Sequence, residues 1–297
     1  MSITSAMFTG VSGLLANAEG ISVIGNNLSN VNTIGFKDSR MLFSDMLSTS
    51  LGNNSQIGHG VQIQKVDNLF ASGSFESTTN STDVAIQGDG FFVLTSPSNT
   101  AVPVAATDAY YTRAGSFRLD STGLGLVNPD GYKVLDTAGN PIVFAATDGG
   151  TQNFQKVVGI DSTGSISLLY TDPATGASST LYYAGAGATP VVADTTGATY
   201  VKIAEANVPN PQGMLKQGGT LYKLTAESGT PVAPAAGLYK SADGTSEKML
   251  SNNLELSNVD MATEFVNMIT TQRAYSANSK TITTADEMTQ EVLNLKR

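Results

Sequence analysis

Cysteine is absent from the 297-residue chain, which rules out disulfides, thiolate nucleophiles and cysteine metal ligands. Stability has to come from packing. A chain without thiols suits the cytoplasm, and it equally suits a route that carries the chain out of the cell unfolded. Tryptophan is also absent, and aromatic residues make up only 7%, so there is little to stack against sugar rings. His59 is the only histidine. Flanked by Gly58 and Gly60, it reads as a solvated turn residue, and no Ser-His-Asp or Cys-His arrangement has another imidazole to use. Metal sites of the His/Cys kind fall to the same count. Charged residues are scarce at 14%, against about a quarter in an ordinary domain. Ser, Thr, Asn and Gly take their place, so much of the surface is neutral and polar. The net charge of −9 argues against a phosphate-backbone partner, and no Lys/Arg cluster interleaved with aromatics breaks that sign.

No continuous apolar run approaches the roughly 20 residues that span a bilayer, so no membrane insertion is expected. A basic region of the signal-peptide kind is missing too: the first positive charge is Lys37, and Glu19 is the only charge before it. Export, on this reading, uses an uncleaved N-terminus. Asp83, Asp89, Asp120, Asp130, Asp136 and Asp161 are the carboxylates that glycosidase-type chemistry would draw on. Nearly all sit beside Gly, Asn, Ser or Thr, which makes them turn formers. No catalytic residue, metal or cofactor is expected, and the chain does not read as an enzyme.

With 40% hydrophobic residues the chain should fold as one or two domains. Ile3, Met7, Val11, Leu14, Ala18, Ile21, Ile24 or Gly25, Leu28 and Val31 recur at steps of three or four, the period of an amphipathic helix or coiled-coil seam. Gly10, Gly13, Gly20 and Gly25 weaken that helix by up to about 1 kcal/mol each, so it needs a partner. The other end of the chain offers one. Met261, Phe265, Met268, Gln272, Tyr275, Ser279 and Ile282 carry the same step, and Ala285, Met288, Val292 and Leu295 extend it. Ser257 or Asn258 is the expected N-cap, Asp260 and Glu264 lie where the helix dipole favours acids, and Lys296 and Arg297 close the far end. Periodicity alone fits two ordinary helices on one globular core equally well. Their position at both extremes of the chain favours a separate helical module.

Between them, "GFFVL" (Gly90 to Leu94), "YYTRAGSFRLD" (Tyr110 to Asp120), "GYKVLD" (Gly131 to Asp136), "SISLLY" (Ser165 to Tyr170) and "TYVKIAEA" (Thr199 to Ala206) read as short strands. Turn signals such as "NPDG", "DSTG" and "DPATG" separate them. The expected class is α+β: a discontinuous, coiled-coil-like module of long terminal helices (1–36 and 255–297) and an all-β, sandwich- or barrel-like middle domain (73–254). A small insertion is expected around 147–199, and 37–72 is expected as a partly extended linker or arm.

Several long motifs occur in a family order. "MFTGVSGLLANAEGISVIGNNLSNVNTIGFK" (Met7 to Lys37) and "NVDMATEFVNMITTQRAYSANSKTITTADEM" (Asn258 to Met288) resemble the terminal signatures of the bacterial flagellar rod and hook family of axial proteins. "DVAIQGDGFFVL", "YYTRAGSFRLD", "GLVNPDGYKVL" and "NPQGMLKQGGTLY" resemble its β domain. Within the family, "MFTGVSGL" and "GVQIQKVDNLFASGSFEST" (Gly60 to Thr78) are more similar to hook subunits, while the modest length keeps a distal rod subunit as the alternative. The resemblance implies a structural subunit, exported through the flagellar type III apparatus without a cleaved signal, that polymerises outside the cell. As a hook subunit it would form the curved, flexible joint that passes torque from motor to filament. Its implied partners are other copies of itself and the rod, hook-cap and hook-filament junction proteins.

The stretch "VIGNNLSNVNTIGF" (Val23 to Phe36) poses a question, because four neutral amides crowd a helical run although Asn prefers caps and turns. Asn26, Asn27 and Asn30 are expected at inter-subunit contacts, where an amide carries no charge to repel an identical copy. Simple capping by Asn30 and Asn32 is the alternative for those two. Met7, Val11, Leu14, Ala18, Ile21, Leu28 and Val31 on the first helix, with Met261, Phe265, Met268, Gln272, Tyr275 and Ile282 on the last, complete the expected assembly set.

Overall fold

The computed structural model describes residues 3–52, 55–99, 102–192, 200–231 and 239–295. The chain divides into two compact units. One comprises Met1–Asn32, Lys37–Leu69 and Val259–Arg297, and the other Thr33–Phe36 and Phe70–Asn258.

The first unit holds α1 (Ile3–Ser29), β1 (Ser39–Asp45), β2 (Thr49–Gly52), β3 (Ser55–Ile57), β4 (Val61–Asn68) and α2 (Met261–Leu295). At 1.5 Å per residue, α2 is about 50 Å long. Its N-cap is Asp260, in place of the expected Ser257 or Asn258. The Asp260 carboxylate accepts from the Ala262 amide at 2.9 Å and from the Thr263 hydroxyl at 3.0 Å. These bonds, the Thr263 hydroxyl foremost, hold its pKa below the usual carboxylate range. Asp caps a helix as well as Ser or Asn does, and it directly precedes Met261. Lys296 and Arg297 lie outside the described residues. At the end of α1, the Ser29 hydroxyl donates to the Gly25 carbonyl at 2.8 Å and the Asn30 amide to the Asn26 carbonyl at 2.9 Å. The Asn26 carbonyl also accepts from the Asn30 backbone amide at 3.2 Å, so backbone and side chain close the same turn.

The segment expected as a partly extended linker contains four strands and clusters with the helices. β1 and β4 run antiparallel from the Ser39/Asn68 pair to the Asp45/Val61 pair, with a bulge between Leu42 and Phe43. β2 pairs with β3. Alternating apolar residues, Met41 and Phe43 on β1, supply a face that a free linker would leave in water, and the sequence reading passed over that alternation.

α1 also corrects the expectation that no segment is fit to cross a bilayer: Ser5–Ser29 is long and apolar enough by composition. Gly, Ala and Ser break its apolar run, and Glu19 is its only charge. Core helices of soluble proteins share this composition.

The second unit is built on β. Its strands are β5 (Phe75–Ser77), β6 (Val84–Gln87), β7 (Phe91–Thr95), β8 (Tyr110–Thr112), β9 (Arg118–Leu119), β10 (Leu126–Val127), β11 (Lys133–Val134), β12 (Asn153–Ile160), β13 (Ile166–Thr171), β14 (Ser178–Tyr182), β15 (Glu205–Ala206), β16 (Leu215–Gly218), β17 (Leu221–Lys223), β18 (Lys248–Ser251) and β19 (Asn253–Glu255). The main sheet runs β16-β17-β8-β7-β11-β10-β9, with β15 also on β7. A separate meander runs β12-β13-β14, and β18-β6 and β19-β5 form two ribbons.

β7 is the centre of the unit. β8 takes one edge, and β15 and β11 divide the other. Because strand side chains alternate, Phe92 and Leu94 enter one core cluster and Phe91 and Val93 another. The first cluster also contains Val157, Ile160, Ile166, Leu168, Tyr170 and Leu181 of the meander. The stretch expected as an insertion around 147–199 therefore shares the main core over its described residues, and 193–199 lie outside them. Asp120 and Asp136 serve as turn residues: Asp120 Oδ1 accepts from the Thr122 and Gly125 amides at 3.0 and 3.1 Å, and Asp136 Oδ1 from the Ala138 and Asn140 amides, both at 2.9 Å.

Candidate assembly surface

Helix against helix, the buried seam is made of small and polar residues. Gly10, Gly13, Ala16, Gly20 and Asn27 are the buried positions of α1, and Glu264 and Ala285 those of α2. A Cβ on Gly10 would lie 3.0 Å from Ile282, one on Gly13 2.8 Å from the Asn278 amide, and one on Gly20 3.1 Å from Met41 on β1. The glycines read as a weakness of α1 are therefore the residues that let α2 and β1 come close. The coiled-coil seam expected from Met, Val, Leu and Ile is displaced by a seam of small residues, since Gly10, Gly13, Ala16 and Gly20 let backbones approach nearer than an aliphatic stripe does.

The apolar stripes flank this seam. On α1, Val11 and Ala18 are exposed, and Met7, Leu14, Ile21 and Leu28 are partly buried, as is Val31 just beyond its end. On α2, Met261, Phe265, Gln272 and Tyr275 are exposed, Met268 is partly buried, and Ile282 packs on Gly10. Exposed residues outside the expected set extend these faces: Phe8 and Leu15 on α1, and Val266, Ile269, Val292 and Leu293 on α2. Phe8, Val11 and Leu15, spaced i, i+3, i+7, join Met46 and His59 along a groove of about 560 Å³. That spacing was present in the sequence as a second stripe beside the one read.

The amides separate. Asn27 is buried and its bonds stay within the unit: Nδ2 donates to the Ser39 carbonyl at 2.9 Å and to Glu264 Oε2 at 3.2 Å, and Oδ1 accepts from the Ser39 amide at 3.1 Å. Glu264 Oε1 accepts from Asn267 at 3.1 Å. Within one subunit Asn27 therefore already makes three of the four hydrogen bonds open to an amide, joining α1, β1 and α2. Asn30 bonds back to Asn26 in the last turn, and Asn26 itself is exposed.

Three family models match the chain in order: "Flagella basal body rod protein" over residues 7–37, "Flagellar hook protein FlgE/F/G D1 domain" over 85–168 and "Flagellar basal body rod FlgEFG protein C-terminal" over 250–295. The flagellar basal-body rod protein FlgG of Bacillus subtilis is 35% identical over 306 residues, covering 98% of this chain and 99% of that one. FlgG of Borreliella burgdorferi is 34% identical over 310 residues, with 98% of each chain covered. The flagellar hook protein FlgE of the same organism is 25% identical over an alignment of 453 positions, covering 98% of this chain and 99% of that one. With terminal helices, a β middle and relatives that match from end to end, the chain belongs to the flagellar rod and hook family of axial structural proteins.

Proposed function

We propose that the chain is a rod-type axial subunit of the flagellar basal body, of the distal rod, and that it polymerises through the exposed apolar faces of α1 and α2. The observation that carries this reading is the contrast between two relatives from one organism. The rod relative aligns at nearly this chain's own length, whereas alignment to the hook relative stretches far beyond 297 positions at lower identity. The small insertion expected around 147–199 instead shares its core with the main sheet, in keeping with a chain of the rod relative's length. On these grounds the distal rod replaces the hook as the preferred reading.

The mechanism is physical association without chemistry. Phe8 and Leu15 on α1, with Phe265, Val266 and Ile269 on α2, are at least half exposed or close to it, and each large apolar side chain taken out of water gains about 1.5–3 kcal/mol. A contact between different faces of successive copies does not close on itself, so it extends into a helical polymer. Other axial proteins at either end of the polymer, and the export apparatus that delivers an uncleaved chain, are the partners this reading requires. Electron micrographs of basal bodies from a strain lacking the chain test it. A truncated rod supports the rod subunit, a complete rod without a hook supports the hook subunit, and intact flagella would overturn both.

A further inference from the structure

A buried carboxylate with no hydrogen-bond partner among the described residues sits in the β unit. Glu205 on β15 pairs with Phe92 of β7, and its amide donates to the Lys240 carbonyl at 2.7 Å. The side chain is fully buried, and neither carboxylate oxygen has a hydrogen-bond partner among the described residues. Gly90 makes the space, because a Cβ there would collide with Oε1. Four charged groups face it: Arg113 beyond the end of β8, and Lys240, Asp243 and Glu247 from the segment before β18. Lys240 is committed elsewhere, and Arg113 is so through both Nη atoms, its buried Nε having no hydrogen-bond partner among the described residues. Arg113 gives Nη2 to the Gly88 carbonyl at 2.7 Å and Nη1 to Glu255. Lys240 pairs with Glu247, whose other oxygen accepts from Asn207 at 3.2 Å. Asp243 is occupied by the amides of Thr245, Ser246 and Glu247.

We propose that Glu205 is a proton-linked latch: as the neutral acid it seals the β7–β15 junction, and on losing its proton it competes with Glu247 for Lys240 and loosens that junction. A carboxylate sealed away from water without bonds is heavily penalised relative to the acid. Desolvation, followed by the Glu247 charge, pushes Glu205 up to about 7, against the pull of Lys240 and Arg113. The native value lies above the unfolded one, so this group's contribution to stability is complete below about pH 4.5, declines as pH rises, and is gone above about 7.

Unfolding of the full chain, followed by the near-UV signal of its buried tyrosines, tests the latch across this window. Relative to Glu205→Gln, the wild-type unfolding constant should rise by up to about tenfold per pH unit between about pH 5 and 7, the slope of one proton. Equal pH slopes for the two proteins overturn the proposal. Carbon-13 titration of the glutamate carboxyls in the wild type keeps it falsifiable should the variant not fold. One glutamate titrating near neutrality, and moving to lower pH in Glu247→Gln, supports the latch. Glutamates that all titrate in the ordinary acidic range refute it.

Discussion

Asn27 and Glu264, 237 positions apart in the chain, meet side chain to side chain at 3.2 Å inside the helical unit. Asn27 also pairs with both the amide and the carbonyl of Ser39, so one amide joins α1, β1 and α2. Asn27→Ala leaves a buried carboxylate short of one donor and both backbone groups of Ser39 without their side-chain partner. It should lower the stability of the helical unit by about 1–3 kcal/mol. Thermal melts followed by helical circular dichroism measure this, and an unchanged midpoint would show that the bridge is idle.

Two glycines of α1 should respond in opposite directions. Gly13 faces the Asn278 side chain, whereas a Cβ on Gly25 meets nothing within 4 Å among the described residues. Gly25→Ala therefore gains helix propensity, up to about 1 kcal/mol. Gly13→Val pushes α2 away and should cost about 1–3 kcal/mol. Denaturant titrations of the pair decide the matter, and equal effects would mean that the seam is not in close contact.

These glycines mark where the sequence was and was not legible. The span of α1 follows from its period, and "GFFVL" and "SISLLY" announce β7 and β13 through branched and aromatic residues. Which side of each helix is buried did not follow. An apolar stripe is the ordinary signature of a buried face, but here it flanks a seam where close approach depends on having no side chain at all. A glycine's helix cost is visible in a sequence, whereas its use as a contact point appears only once Ile282 and Asn278 stand opposite. Asn27 misled for a related reason: its partners Ser39 and Glu264 come from separate elements, and local spacing carries no record of that meeting. Family motifs, being long and ordered, were legible at both ends.

In the β unit, Arg113 and Glu255 form an ion pair at 3.4 Å with side chains 1% and 0% exposed. The guanidinium also lies over the Phe91 ring, and Glu255 Oε1 accepts from the Gly73 amide at 3.0 Å. Glu255→Gln strands a buried cation and should destabilise this unit by about 3–5 kcal/mol, while adding Arg113→Met should recover much of the loss. A double-mutant cycle by denaturant unfolding reads the coupling. Additive losses would mean that the two charges do not sense one another.

The assembly reading makes the sharpest separation between folding and function. Phe265 and Ile269 lie one turn apart on α2, about half exposed, and contribute little to the seam that Glu264 and Ala285 occupy. Replacing both by Ser should leave the stability of the helical unit within about 0.5 kcal/mol, as surface changes usually do. The same change removes two large apolar anchors from the proposed inter-subunit face, where burying the remaining exposed half of each is worth about 1 kcal/mol. That loss recurs at every subunit added, so polymer growth should fail even though each monomer is sound. Sedimentation of purified protein and micrographs of basal bodies from cells carrying the double variant supply the two readouts. A well-folded variant that still builds normal rods would remove this face from the interface, and a variant that melts early would instead place these side chains in the core of α2's own unit.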